Sequence, residues 1–371
     1  MKNYGRLKIL ILSSCQGRIF GGYENWVDNI SIQLAKLGFY VHIVTGPNNL
    51  NPSHPRIHFH KFPIIGHESM PIKKRPFNEI AGWIETTSLT FNARKFLSRN
   101  KWDVILIAAW TDGYIFKLFL PISGKTIYTF HTTPLPWLKL LFEPLKDADV
   151  VTVTSHYVAD YVDELYGIKA EVIPIGVDLE RFNPSINCKG IRNNLNIGKK
   201  DVMILFVGRL EKKKGVWTLL KATSKLPENI HTVFVGTGTQ EIDLKMAAKG
   251  MKNIHITGKV ENSVLPKMYA AADIVCVPSE YEESSGSIQM EAMASGKPVI
   301  VSNSGGLAET VQKEYQFKAG DWKELRNKLI DLASNNNKRK RLGRIGRQRA
   351  IKLYDWDKIG QRYVKIISDL K

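Results

Sequence analysis

Residues 278–310 read PSEYEESSGSIQMEAMASGKPVIVSNSGGLAET, and they hold the most specific pattern in the chain. The segment follows the apolar run Ile274–Val277 and contains a second such run, Pro298–Val301, with a helical pattern between the two. Two glutamates, Glu283 and Glu291, are separated by seven residues, and the serines between them suit a helix N-cap. This pattern predicts a strand, a polar loop with Glu283, a helix with Glu291, and another strand.

The same alternation of short apolar runs and amphipathic stretches extends over most of the chain. It indicates βαβ units and mostly parallel sheets. It lapses at Leu179–Lys200, which we interpret as an interdomain linker with one helix, and from Trp322 onward the pattern is one of consecutive helices. The sequence therefore predicts an α/β protein with two doubly wound domains in tandem. The expected strands are Leu7–Leu12, Tyr40–Thr45, Ile57–Phe62, Val104–Ala108, Thr126–Phe130 and Val150–Thr154, then Met203–Val207, Thr232–Val235, Ile254–Thr257, Ile274–Val277 and Pro298–Val301.

Length and composition agree with two globular domains. The chain has 371 residues, of which 43% are hydrophobic and 24% charged, so each domain can bury its own core. Its three cysteines are scattered without a CxxC pair, which argues against a disulfide framework or a zinc site and predicts a reducing, cytoplasmic setting. The run Leu7–Leu12 is too short for a signal peptide, and no run is long enough to span a bilayer.

A formal net charge of +18 predicts attraction to an anionic partner. Lys338–Lys352 holds eight basic residues and no acidic one, and Lys73–Arg75 is a second cluster. Either cluster is equally typical of a solvated surface. As a hypothesis, Lys73–Arg75 and the apolar–basic segment Leu135–Leu141 hold the first domain against an anionic membrane, on its inner face. Specific nucleic-acid binding is not expected, because the chain lacks an RNP-like motif, a helix-turn-helix signature and zinc-finger spacing.

The quoted segment suits a nucleotide. Backbone N–H groups of Ser287 and Ile288, at the start of the predicted helix, could hold a phosphate. Glu291, one turn further on, could accept hydrogen bonds from ribose hydroxyls, as acidic residues do in nucleotide-binding folds. A glycosidase acid–base pair is disfavoured, because eight helical residues span about 12 Å whereas hydrolases hold their carboxyl groups roughly 5–9.5 Å apart.

Three other segments follow predicted strands, at the end of the sheet where ligands bind. Arg209 and Lys214, in VGRLEKKKG, offer a guanidinium fork and a point charge for a diphosphate, or else form a solvated basic loop. Gly22 precedes the first helix, where backbone can approach an anion, although an ordinary turn explains it equally well. His131 contacts the sugar or is a structural histidine.

Taken together, these segments resemble the retaining glycosyltransferase family 4, of the GT-B fold. The resemblance runs from about Leu7 to Trp356 and rests on GGYE, VGRLEKKKG, VGTGTQ, ITGKVENSVLPKMYAAADIVCVPS and EESSGSIQMEAMASGKPVIVSNSGGLAE. It implies two Rossmann-like domains that face a cleft, residues 1–180 on the acceptor side and 181–354 on the nucleotide-sugar side. A C-terminal helix, 355–371, would cross back to the first domain.

The resemblance also implies a role for each site residue. Arg209 and Lys214 match the family's diphosphate contacts, and Gly22 matches the glycine whose backbone approaches the phosphate or sugar. Two residues are implied to be catalytic: Glu283 contacts the donor sugar, and His131 lies near the reacting carbon. The implied activity is retaining transfer of a hexose-type sugar from a nucleotide-sugar donor to a glycan or lipid-linked acceptor. No cofactor or metal is implied, which agrees with the absence of a DxD-like motif.

The chain departs from the family's pattern at two places, and two alternative functions stay open. Many relatives have an aromatic residue at the position of Ser285, and the segment after Glu309 is shorter than usual. The alternatives are another enzyme of the same fold, such as a nucleotide-sugar epimerase or a phosphorylase, and a basic nucleic-acid-binding protein.

Overall fold

The computed structural model describes residues 7–14, 16, 22–66, 77–107, 123–133 and 147–370, with the backbone alone for 77–81. The chain divides into two compact units: unit 1 is Met1–Pro174 with Trp356–Lys371, and unit 2 is Ile175–Asp355. Lys73–Arg75 and Leu135–Leu141, which the sequence suggested as a membrane-facing surface, lie outside the described residues.

The secondary-structure elements are numbered in chain order. The strands are β1 (Lys8–Leu12), β2 (Tyr40–Thr45), β3 (Ile57–Lys61), β4 (Val104–Ile107), β5 (Lys125–Phe130), β6 (Val150–Val153), β7 (Glu171–Val172), β8 (Val202–Val207), β9 (Ile230–Val235), β10 (Ile254–Gly258), β11 (Ile274–Val277), β12 (Val299–Ser302) and β13 (Gln316–Phe317). The helices are α1 (Gly22–Lys36), α2 (Phe77–Arg99), α3 (His156–Tyr166), α4 (Ile191–Asn194), α5 (Val216–Thr223), α6 (Glu241–Ala247), α7 (Leu265–Ala271), α8 (Ser287–Ala294), α9 (Trp322–Ser334), α10 (Asn336–Leu353) and α11 (Trp356–Asp369), with 3-10 turns at Lys212–Lys214, Ala308–Thr310 and Lys313–Tyr315.

Each unit contains one parallel sheet. The strand order is β3-β2-β1-β4-β5-β6-β7 in unit 1 and β10-β9-β8-β11-β12-β13 in unit 2. Both orders begin with the Rossmann pattern, in which the direction of strand addition reverses once, and ligands bind at that switch point. In unit 2 the reversal lies between β8 and β11, where Ile204 pairs with Ile274 and Leu205 with Val275. The prediction of two Rossmann-like α/β domains is confirmed.

The sheet of unit 2 is covered on both faces, which explains why its two central strands, β8 and β11, are apolar at every position. Along β8, Ile204 and Phe206 pack on one face with helices that include α5 and α9. Met203 and Leu205 pack on the other face with α7 and α8. Burying each such side chain contributes about 1.5–3 kcal/mol.

The division between the units falls between Pro174 and Ile175, rather than at residues 180/181 as the sequence suggested. The N–H of Val177 donates to the carbonyl oxygen of Tyr354 at 2.6 Å. Phe182 and Ile197, within the segment Leu179–Lys200 that we interpreted as a linker, are also buried in the core of unit 2. The segment interpreted as a linker therefore packs as part of unit 2.

The C-terminal helix α11 packs in unit 1, against α1. A Cβ added to Gly360 would stand 2.8 Å from the Cβ of Gln33, so the two helices approach closely at this glycine. The hydroxyl of Tyr363 is buried and hydrogen-bonded to the hydroxyls of Thr129 and Thr152, at 3.1 and 3.4 Å. These contacts tie the last helix to strands β5 and β6.

Within the ranges given above, none of the helices is both long enough and apolar enough to cross a bilayer.

A pair of neutral histidines joins β2 to β3. His42 Nδ1 lies 2.9 Å from His60 Nε2, so one ring donates and the other accepts. The His42 ring also meets the edge of Trp102, with centroids 5.2 Å apart. Burial, reinforced by His60, His58 and Lys8, lowers the pKa of His42 to about 4, and burial also lowers the pKa of His60.

This pair predicts a loss of stability in acid. In the unfolded chain, His42 is protonated at the ordinary histidine pKa near 6.5. In the folded state it is protonated only near pH 4. The contribution is therefore fully present above pH 7 and is lost as the pH falls from 6.5 toward 4. Because His42 is only half-buried, we expect about 1–2 kcal/mol. Urea unfolding between pH 8 and 4.5 measures the free energy of unfolding as a function of pH. His42→Phe should lose about 1–2 kcal/mol of the pH dependence. The control His156→Gln, at an exposed position, should keep the pH dependence of wild type. Parallel profiles for wild type and His42→Phe would contradict the prediction.

Candidate functional site

Two loops meet at the switch point of unit 2, one after β8 and one after β11. They meet because Gly215 lies directly against the backbone of Pro278: a Cβ built on Gly215 would stand 1.7 Å from the Pro278 carbonyl oxygen. Gly215 has φ +72°, in the left-handed region that favours glycine. The N–H of Glu280 also donates to the carbonyl oxygen of Lys213 at 2.8 Å. The close approach brings the preceding residue, Lys214, to the β11 loop.

Lys214 and Glu283 form an ion pair where these loops meet. The Lys214 Nζ lies 3.0 Å from Glu283 Oε1 and 2.9 Å from the hydroxyl of Tyr281. Ser279 Oγ donates to the same carboxylate oxygen. The side chains of Lys214 and Glu283 are only 19% and 11% exposed, so water screens their interaction weakly.

The charge state of Lys214 follows from these contacts. Burial alone would lower its pKa, but the Glu283 carboxylate and the Tyr281 hydroxyl outweigh burial and raise it. Lys214 is therefore a fixed cation. The ring of Tyr281 lies 5.0 Å from its Nζ, within range of a cation–π contact. Of the predicted site residues, the structure thus brings Lys214 and Glu283 into direct contact.

Arg209 lies in the same loop but has a different partner. Its Nη1 is 2.8 Å from Glu211 Oε1, and its side chain is 65% exposed. Glu211 also lies 3.5 Å from Lys213 Nζ. Arg209 is therefore part of an exposed ion-pair cluster, distinct from the partly buried Lys214–Glu283 pair.

Helix α8 begins with an N-terminus that no side chain caps. Its N-cap residue is Gly286, in extended conformation and without a side chain to accept hydrogen bonds. The prediction of a serine N-cap is therefore wrong, because the chain turns into the helix at the glycine. The N–H groups of Ser287 and Ile288 consequently have no capping side chain, the state in which a helix N-terminus attracts an anion.

The backbone of Glu283 is held by the turn that follows β12. The N–H of Gly306 donates to the Glu283 carbonyl oxygen at 2.7 Å. Gly305 has φ +56°, and a Cβ there would stand 2.5 Å from the same oxygen. The position of the Glu283 carboxylate is thus set both by its own side-chain partners and by this backbone contact.

Glu291 projects from α8 to a different partner. Its Oε2 accepts a hydrogen bond from the hydroxyl of Tyr269, on α7, at 2.7 Å. Burial raises the pKa of Glu291 to about 7, while the Tyr269 hydrogen bond and the charge of Arg181 act in the opposite direction. The carboxyl group is therefore near half-ionisation at neutral pH.

His131 follows β5 in unit 1, as predicted. Its ring meets the edges of Trp26 and Tyr23, with centroids 4.6 and 5.9 Å apart. Both ring nitrogens are buried and have no hydrogen-bond partner among the residues that the structure describes. Burial lowers the pKa of His131 to about 3, so the ring is neutral at physiological pH.

Gly22 is the first residue of α1, also in unit 1. It is exposed, and a Cβ built on it would meet nothing within 4 Å. Packing inside the described part of unit 1 therefore does not require a glycine at this position.

Sequence reasoning missed several residues of the site in unit 2. Tyr281 lies inside the quoted segment, two residues before Glu283, and its position beside the glutamate was the available signal. Tyr269 fits the apolar face of a helix, so periodicity alone marks it as core. The role of Gly215 was not predicted, because its close approach to Pro278 is a tertiary contact. The departure at Ser285 places a buried hydroxyl without a described partner beside Gly286.

In the described ranges, His, Cys, Asp and Glu side chains form no group of three or more that could hold a metal ion.

Two family models match the chain. Residues 20–181 match Glycosyltransferase Family 4, and residues 189–349 match Glycosyl transferases group 1. A D-inositol 3-phosphate glycosyltransferase of Xylanimonas cellulosilytica is 28% identical, covering 91% of this chain and 89% of that protein. Three further curated relatives, 28–32% identical, are matched over only 36%, 64% and 49% of their own lengths.

Solved structures share the fold. Sucrose-phosphate synthase from Thermosynechococcus elongatus has a TM-score of 0.85 at 22% identity, covering 98% of this chain and 99% of that one. HepE of Anabaena, in complex with UDP and glucose, has a TM-score of 0.76 at 19% identity, covering 98% of this chain and 100% of that one.

Proposed function

Because the chain belongs to glycosyltransferase family 4, we propose that it transfers a hexose from a nucleoside diphosphate sugar to a glycan or lipid-linked acceptor. We further propose that the transfer retains the donor's anomeric configuration and uses no metal ion. The observation that carries the proposal is the partly buried pair of Lys214 and Glu283 at the switch point, 3.0 Å apart. The pair combines a cation for phosphate with a carboxylate for sugar hydroxyls.

The proposed donor site extends from this pair along α8. Lys214 would bind the diphosphate as a point charge, with the uncapped N–H groups of Ser287 and Ile288 as further donors. Glu291 would accept hydrogen bonds from the ribose hydroxyls. Arg209, whose partner Glu211 is partly exposed, would exchange that contact for a phosphate oxygen.

Catalysis in this proposal is electrostatic. Charge develops on the diphosphate as the bond to the sugar breaks, and a fixed cation with oriented N–H groups stabilises it most when water is excluded. The cationic side chains would thereby take the part that a metal ion plays in other transferases. Glu283 would hold the sugar by its hydroxyls. In unit 1, His131 is the proposed contact of the sugar near its reacting carbon. The backbone of Gly22 is the proposed contact of the phosphate or the sugar.

The test is release of nucleotide from a panel of UDP-, GDP- and ADP-sugars. We expect slow release from donors with one base, which identifies the donor. Glu291→Ala should raise the donor KM about 10–100-fold, because a charge-assisted hydrogen bond contributes about 1.5–3 kcal/mol. Glu283→Ala should instead lower kcat, by about 10²-fold, because its contact is with the reacting sugar.

The matched control is Glu228→Ala, an exposed glutamate of unit 2 that should leave both constants unchanged. Failure of both site variants to alter donor titration or turnover would refute the site. Conversion of the donor to an epimer whose sugar stays attached to the nucleotide, without release of free nucleotide, would favour an epimerase instead.

We also propose a cytoplasmic location with peripheral binding to anionic membranes, supported by the net charge of +18. On α10, Lys340, Arg341 and Arg344 are exposed and make no ion pair within the described ranges. Flotation with phosphatidylglycerol vesicles compares charge reversal at Lys73–Arg75 with charge reversal at these three residues. The cluster whose reversal abolishes flotation at low salt is the membrane contact, and wild type that never floats overturns the proposal.

A further inference from the structure

Tyr269 has no part in the function proposed above, yet its hydroxyl is hydrogen-bonded to the proposed ribose carboxylate. Its hydroxyl donates to Glu291 Oε2 at 2.7 Å, and the residue is 0% exposed. The bond joins α7 to α8, 22 positions apart in the chain, across the interior of unit 2. The other carboxylate oxygen, Oε1, accepts no hydrogen bond from a described residue.

The tyrosine itself is held rigidly. Its ring packs in the core of unit 2 and meets the edge of Phe182, with centroids 5.6 Å apart at 85°. Burial, together with the adjacent Glu291 carboxylate, raises the pKa of the Tyr269 hydroxyl well above its ordinary value, so the hydroxyl always retains its proton. It can therefore only act as a donor toward the carboxylate.

We propose that Tyr269 is a positioning residue for nucleotide recognition: its hydroxyl fixes the Glu291 carboxylate through Oε2 and leaves Oε1 for the ribose hydroxyls. This inference rests on the proposed function, because it takes Glu291 as the ribose contact. A carboxylate held in one orientation by a buried donor loses less side-chain freedom when it binds a ligand. Without the hydroxyl, the partly buried glutamate could rotate and would lose its hydrogen-bond donor.

The same bond controls the charge of Glu291. Two groups act on the carboxyl group: the Tyr269 hydroxyl from α7, and the Arg181 guanidinium from the segment before α4. Both favour the anion, against burial, which favours the acid. Removing the hydroxyl therefore raises the carboxyl pKa further and leaves Glu291 protonated over more of the neutral range. A carboxylic acid is a weaker acceptor for ribose hydroxyls than a carboxylate.

The experiment measures Kd by calorimetry for UDP, GDP and ADP between pH 5.5 and 9, for wild type and Tyr269→Phe. The ratio of the two Kd values at each pH cancels the titration of the nucleotide's own phosphate. We expect the Kd of Tyr269→Phe to be about tenfold higher than that of wild type near pH 7.5. This ratio should fall toward pH 9, where Glu291 is ionised in both proteins. In Glu291→Gln the ratio to wild type should instead grow as the pH rises.

The matched control is Tyr363→Phe, which removes a buried, hydrogen-bonded hydroxyl from unit 1. It should lower stability without changing the Kd for nucleotide. A ratio for Tyr269→Phe that is close to one, or that does not vary with pH, overturns the proposal and leaves Tyr269 as a packing residue.

A second measurement works without any ligand. The δ-carbon of Glu291, labelled with carbon-13, reports the carboxyl titration by NMR in the free protein. The proposal requires a higher carboxyl pKa in Tyr269→Phe than in wild type, and an unchanged value overturns it. If wild type binds none of the three nucleotides, the proposed function fails, whereas this titration still decides whether Tyr269 controls the carboxyl group.

Discussion

Replacing Lys214 with alanine should lower kcat/KM for the nucleotide sugar by about 10²–10³-fold, the usual effect of removing one group that stabilises developing charge. Lys214 is a fixed cation in a partly buried position, with its Nζ 3.0 Å from Glu283 Oε1. Its charge is therefore screened less by water than that of an exposed lysine. Steady-state kinetics with the donor identified by the panel provides the measurement.

The control for this prediction is Lys212→Ala, an exposed lysine of the same loop that should leave kcat/KM nearly unchanged. An equal effect of the two substitutions would mean that the loop attracts the donor by its net charge alone. Full activity in Lys214→Ala would remove Lys214 from the site.

Stability provides an independent test of the same pair. Lys214→Ala leaves the Glu283 carboxylate partly buried without its cation, which should cost roughly 3 kcal/mol of unfolding free energy. The double variant Lys214→Ala/Glu283→Ala should regain part of this loss, because no unpaired charge remains. Strict additivity of the two single substitutions would show that the ion pair contributes nothing.

The fold was predictable because a strand with both faces covered is apolar along its whole length. The run Met203–Val207 corresponds to β8, and its residues divide between the two cores of unit 2. The two-residue strands β7 and β13 were not predicted, because two residues carry no periodic pattern. Leu179–Lys200 was interpreted as a linker because its apolar residues, such as Phe182, are isolated among polar ones, and isolated core contacts form no periodic pattern.

The candidate site was predictable only in part. Parallel strands deliver their carboxyl ends to one edge, so the presence of Lys214 and Glu283 near the switch point follows from sequence. Their mutual contact does not follow, because it depends on how closely two loops approach. The same limit applies to Tyr269, whose partner Glu291 comes from another helix. The pairing of Arg209 with Glu211, two residues further along the same loop, was also not predicted.

Gly215 determines that approach, and its replacement by alanine should be among the most damaging single changes in unit 2. Two separate penalties arise. A β-carbon at φ +72° costs about 1–2 kcal/mol, and the same carbon would overlap the Pro278 carbonyl oxygen at 1.7 Å. The overlap is with backbone, so the β8 and β11 loops must separate. Lys214 would then leave the carboxylate of Glu283, and activity should fall together with stability.

A control at Gly250 separates the strain of a positive φ from the overlap with the Pro278 carbonyl oxygen. The φ of Gly250 is +84°, but a Cβ built there meets nothing within 4 Å. Gly250→Ala should therefore show the conformational penalty alone, about 1–2 kcal/mol, with donor kinetics unchanged. Gly215→Ala should lose at least about 3 kcal/mol in urea unfolding and most of its kcat/KM. If the two variants behave alike, the loops yield without separating, and contact between Lys214 and Glu283 does not depend on the close approach. If only Gly215→Ala loses both stability and kcat/KM, then the contact between Lys214 and Glu283 depends on the close approach of the two loops, which only a glycine at position 215 allows.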